Sequence, residues 1–114
     1  MGKRGRQREK LQAPTSTYRS DDGTHALELR GALSPATRRE YAELAPETRE
    51  DLWQRQVEFL FERLAVTWTI NEVATTKQKE LLTRFRMASQ EERGFVRRAL
   101  REHVGEWFPD IAAP

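Results

Sequence analysis

Val66-Thr67-Trp68-Thr69-Ile70 is the stretch on which the fold class turns. Large apolar residues alternate there with threonine, and β-branched side chains, stiff at χ1, favour extended backbone. The same residues also suit a rigid end to the helix expected just before them, and the period over five residues does not separate the two readings. As a strand, the segment has a natural partner in Ala26 to Arg30, where Leu27 and Leu29 alternate with Glu28 and Arg30.

That partner follows a turn signal. Thr15 to Gly31 reads TSTYRSDDGTHALELRG, and the dipeptide Asp22-Gly23 ahead of an alternating run marks a hairpin. Its first arm offers only Tyr18 as a large apolar group, and an isolated two-stranded hairpin is marginal in water. The hairpin must therefore lean on the residues that follow.

Those residues read as helices. Ser34-Pro35 opens a first helix, the serine accepting from an orphan N–H and the proline needing none, to about Ala45. Pro46 stops it. Glu47, Glu50 and Asp51 then complement the dipole of a second helix, which runs to about Ala65. On that helix Trp53, Val57, Leu60, Phe61 and Leu64 fall within an arc of about 80°. Leu52 and Phe59 sit together outside that arc, so the apolar surface is wider than one helix contact needs. Thr75-Thr76-Lys77-Gln78 reads as a capping box for a third helix that carries Leu81, Leu82 and Phe85 and stops near Met87. Ser89-Gln90-Glu91-Glu92 is a better one. It opens a fourth helix with an inward stripe of Phe95, Val96, Ala99, Leu100, His103, Val104 and Trp107, closed by Gly105 and Pro109.

The expectation is a mainly α fold, a small bundle of about four helices that admits a short N-terminal β-hairpin, with a basic tail disordered in isolation. Residues 1–14 form the tail, 15–33 the hairpin arm, 34–108 the helical domain and 109–114 a C-terminal tail.

Composition bounds the chemistry. With 114 residues, 37% hydrophobic and 33% charged, the chain is sized for one small domain. The absence of cysteine excludes disulfides, a thiol nucleophile and thiolate zinc sites. No run of 18 apolar residues is present to span a bilayer, so membrane partners are not expected. The basic N-terminus leads into no apolar segment, and a cytoplasmic location is the default.

Net charge is +2, unevenly placed: residues 1–19 carry +5 and the remaining 95 carry −3. Lys3, Arg4, Arg6, Arg8 and Lys10 could neutralise phosphates with salt-dependent affinity, although no aromatic residue is interleaved for base stacking. Arg93, Arg97 and Arg101 recur every fourth residue on the fourth helix, with Arg98 on the flank. They could grip a phosphate backbone, or be balanced by the second helix, since residues 40–62 hold seven acidic and two basic residues. The third and fourth helices are spaced like a helix-turn-helix, but Gln90, Glu91 and Glu92 would place carboxylates where a recognition helix meets DNA.

Nothing in the sequence spells a catalytic or metal site. His25 and His103 are not spaced as a metal pair, and His103, with Glu102 and Glu106 beside it, reads as a packed histidine of the apolar stripe. Asp21-Asp22-Gly23 lacks the further oxygen ligands of a calcium loop. No phosphate-binding, dinucleotide-binding or serine-elbow motif occurs, and no cofactor is implied. The aromatic surplus points instead to protein contact or self-association through Leu52, Phe59, Trp68, Trp107 and Phe108. The reading is a non-enzymatic interaction module, protein-binding and open to dimerisation, whose basic tail adds electrostatic attachment. Its alternative is a small RNA-, DNA- or ribosome-associated factor that uses the tail together with Arg93, Arg97, Arg98 and Arg101.

Overall fold

The protein is described by a computed structural model over residues 14–44 and 48–114. Strands β1 (Thr15–Arg19) and β2 (His25–Arg30) precede helices α1 (Pro35–Ala42) and α2 (Arg49–Leu64). Strands β3 (Ala65–Ile70) and β4 (Val73–Thr75) follow, then helices α3 (Gln78–Arg86) and α4 (Gln90–Trp107).

The expected mainly α bundle is overturned. The four strands form one antiparallel sheet in the order β1-β2-β3-β4, packed against the helices, so the fold is α+β and not all-α. The reason lies in the stretch that left the sequence ambiguous. Val66 to Ile70 is strand, entered from α2 without a loop: Leu64 is the last helical residue and Ala65 already has extended φ and ψ of −66° and 126°. A strand in that place gives the marginal hairpin its third member. Leu27 pairs with Trp68 and His25 with Ile70.

The alternation of β3 is interrupted where its register against β2 shifts between Glu28 and Leu29. Leu29 then lies opposite Ala65, and both Ala65 and Trp68, three residues apart, turn inward. An irregularity of this kind admits one extra residue and re-aims the side chains around it.

β4 took residues assigned above to a helix start. Thr75 pairs with Trp68, and α3 begins at Gln78 behind Lys77, whose side chain makes no capping bond. Ser89 does form its capping box: its Oγ accepts from the Glu92 amide at 3.1 Å, and Glu92 Oε1 accepts from the Ser89 amide at 2.8 Å. That backbone donor holds the Glu92 carboxyl below its usual range. Thr48 caps α2 by accepting from the Asp51 amide. α1 ends at Ala42, three residues short of the expected Ala45.

Trp68, with no exposed surface, is central to the core. Its Nε1 donates to His25 Nδ1 at 3.2 Å, Phe61 meets it edge-on at 5.6 Å, and Phe61 stacks on Phe85 at 4.9 Å. Leu27, Leu29, Leu60, Leu64, Val96 and Leu100 complete the layer between sheet and helices. The Phe108 ring closes one end, with Arg38 above it at 5.3 Å. Among the described residues, no helix is long and apolar enough to cross a membrane.

Candidate partner-binding cleft

Helix α2 brings its apolar stripe to the core from Val57 onward, but Trp53, one turn earlier on the same stripe, remains 39% exposed. The wheel places Trp53 inward. The structure instead sets it in a cleft of about 830 Å³ between the N-terminal halves of α2 and α4. Val57 and Phe85 complete the apolar floor. Glu50, Asp51 and Glu58 line the α2 side, and Gln90, Arg93 and Arg97 the α4 side. Gly94 carries no side chain into the space between them.

Of the three arginines that line the cleft, Arg93 and Arg97 of α4 lie over aromatic rings, and Arg55 of α2 does not. Arg97 sits 4.4 Å from the Trp53 ring centre, and Arg93 sits 5.4 Å from that of Phe85 while donating to the Arg86 carbonyl at 2.6 Å. A guanidinium over a ring keeps its charge available to a further anion. Arg97 Nε is sealed from solvent and has no acceptor, and a buried unmet donor of this kind costs about 1–3 kcal/mol. Arg86 Nε instead meets Glu58 Oε1 at 3.0 Å, and that carboxylate raises the guanidinium pKa.

The expected cancellation of acidic α2 by basic α3 and α4 therefore comes down to one ion pair, Arg86 with Glu58, among the described residues. The other ion pairs there are Arg38 with Asp110, and Arg63 with Glu40 and Glu62. Arg98 and Arg101 are exposed and lie outside the cleft. Of the four arginines of α4, two line the cleft and two lie beyond it. Lys3, Arg4, Arg6, Arg8 and Lys10 lie outside the described residues.

No family model, curated protein or solved structure matches this chain. Its chemistry must be read from its own geometry.

Of the aromatic contact residues named from the sequence, none lines the cleft. Trp68 and Phe108 belong to the core. Trp107 is half-buried: its Nε1 donates to Ser16 Oγ at 3.0 Å, and its ring lies so close to Gly31 that a Cβ there would stand 2.8 Å from Cε3. Phe59 packs against Tyr41 at 5.9 Å beneath the Arg63 guanidinium at 4.6 Å, and Leu52 is half-buried. What the sequence missed is Trp53. The available signal was its place near the start of α2, one turn ahead of the first core residue of that helix.

The buried histidine, unlike Arg97 Nε, is satisfied within the fold. His103 is enclosed; its Nε2 donates to the Arg30 carbonyl at 2.8 Å and its Nδ1 accepts from the Tyr18 hydroxyl at 2.9 Å. Burial pushes the His103 pKa down, which keeps the ring neutral in that arrangement. The Tyr18 hydroxyl is pushed up by burial and by the Glu106 and Glu102 carboxylates, and burial pushes Tyr41 up to about 12. Among the described residues, no group of three His, Asp or Glu side chains could hold a metal ion.

Proposed function

We propose that the protein is a cytoplasmic, non-enzymatic interaction module that binds a segment of a partner protein in the α2–α4 cleft. The observation that carries the reading is the Trp53–Arg97 pair: an exposed indole beneath a guanidinium in a half-apolar concavity. An exposed tryptophan and arginine in a depression are the residue types that dominate binding energy at protein interfaces. The matching segment is an amphipathic helix. It lays a leucine or aromatic side chain on Trp53, Val57 and Phe85 and presents carboxylates to Arg93 and Arg97. Arg93 and Arg97 lie over rings in a half-apolar cleft, which supports a protein partner over nucleic acid, while Arg98 and Arg101 are exposed outside it.

The test is selection from a displayed library of helical peptides against the full chain. Selected sequences are expected to carry an apolar anchor flanked by Asp or Glu, and to weaken by roughly tenfold or more against Trp53→Ala and against Arg97→Glu. Peptides that bind both variants as tightly as the parent would remove the cleft from the account. A labelled RNA or duplex whose affinity falls steeply with salt, and falls further when Arg98 and Arg101 are replaced by glutamate, would put nucleic acid in its place.

A further inference from the structure

We propose that the free edge of β1 takes up an extended segment of a partner protein bearing Lys or Arg at alternate positions, which adds a fifth strand to the sheet. The backbone sets the register. Pro14 accepts from the Gly31 amide and the Ser20 amide donates to His25, so the even-numbered residues of β1 bond to β2. Thr15, Thr17 and Arg19 therefore turn their N–H and C=O groups away from the sheet, and among the described residues no strand pairs with them. No proline or bulge interrupts this five-residue edge, the devices by which sheets usually refuse a further strand. The opposite edge is blunted. β4 has three residues and follows a turn in which Asn71 and Glu72 both take positive φ.

The side chains beside the edge select the charge of the occupant. On the helix face the Tyr18 hydroxyl meets His103 of α4 at 2.9 Å, and the exposed Glu102 and Glu106, one residue before and three residues after His103 on that helix, push the Tyr18 pKa up. On the other face, Glu28 leans toward the edge and accepts from Thr15 Oγ1 at 2.8 Å, with Arg19 and Arg30 nearby in the register. A strand alternates its side chains between two faces. An incoming segment thus meets two carboxylates with no ion-pair partner among the described residues on its helix-facing side, and a mixed, mostly polar surface on the other. Basic residues at every second position, with small polar residues between, satisfy both. A second copy paired through the same edge would set Glu102 and Glu106 against their own symmetry mates, which disfavours self-pairing.

The probe is an acetylated, amidated peptide of alternating threonine and arginine, seven residues long, titrated into the full chain while the amide signals of Thr15, Thr17 and Arg19 are followed by NMR. Binding is expected to move these three signals together, to weaken by roughly tenfold when alternate peptide amides are N-methylated, and to disappear when glutamate replaces arginine in the peptide. Thr17→Pro deletes an outward N–H without touching the bonds to β2 and should also abolish it. The double variant Glu102→Gln with Glu106→Gln should weaken it several-fold and flatten its salt dependence. No binding, or binding indifferent to N-methylation, overturns the proposal. Binding seen only after Arg4, Arg6, Arg8 and Lys10 are replaced by alanine assigns the edge to the chain's own basic segment and overturns a partner as its occupant.

Discussion

Two tryptophans of this protein carry guanidinium groups near their rings, yet one is closed to solvent and the other is not. Trp68 has Arg84 at 6.0 Å, Phe61 edge-on and a hydrogen bond to His25, and it is fully enclosed. Trp53 has Arg97 at 4.4 Å and an open side facing the cleft. The difference lies in what backs each ring. Trp68 stands mid-sheet, where β2, β4 and the helices converge on it; Trp53 stands at the start of a helix, ahead of the first buried turn. One indole organises the core, and the other is left partly open to the cleft.

The contrast can be broken most severely at Trp68. Trp68→Ala should cost about 3–5 kcal/mol, seen as a collapse of the denaturant midpoint, because it opens a cavity at the junction of sheet and helices. A loss below about 1 kcal/mol would show that the sheet does not depend on this residue. His103 is next. His103→Phe leaves the Tyr18 hydroxyl and the Arg30 carbonyl without their partner and should cost about 1–3 kcal/mol in equilibrium unfolding.

The same histidine gives the core a pH dependence. Its folded pKa is held below the ordinary 6.5, so as pH falls the unfolded chain takes up the proton first and the native state loses stability from about pH 6.5 downward. Thermal melts from pH 7.5 to 5 should show that decline in the parent and a flatter line in His103→Phe. Equal slopes would mean that the imidazole titrates alike in both states.

A smaller change sharpens the β3–β4 hairpin that covers one side of Trp68. Asn71 and Glu72 sit at φ of 49° and 68°, the left-handed region that Glu tolerates poorly. Glu72→Gly should stabilise by about 1 kcal/mol, read as a raised melting temperature. Trp53→Ala should cost about 1–2 kcal/mol, well short of Trp68→Ala, because about two fifths of the residue is already exposed. Its effect belongs to binding. A destabilisation as large as that of Trp68→Ala would make the cleft part of the core.

The helices were legible because their signals are local. Ser34-Pro35 and Ser89 to Glu92 mark starts that the backbone follows, and the stripe from Phe95 to Val104 is buried as its spacing requires. The hairpin at Asp22-Gly23 was legible for the same reason, with the Asp22 carboxyl drawn down to about 2 by the Thr24 amide and the Ser20 hydroxyl. The sheet as a whole was not, since it depends on pairing between residues some forty positions apart, and β3 abuts a helix with no punctuating residue. β4 is three residues long and overlaps an attractive capping pattern, which tertiary pairing overrode. Among the candidate contact residues, Arg93 and Arg97 do line the cleft, whereas Trp68 and Phe108 went to the core. A wheel reports direction around a helix and is blind to how far along it a neighbour extends.

The most direct test of the cleft as the working surface is the NMR signal of the three tryptophan indole N–H groups in the full chain, followed while a selected helical peptide is added. The account predicts that the Trp53 indole shifts or broadens while those of Trp68 and Trp107, held by His25 and Ser16, stay in place. A Trp107 indole that moves while Trp53 stays fixed would contradict it and return the contact surface to the C-terminal end of α4.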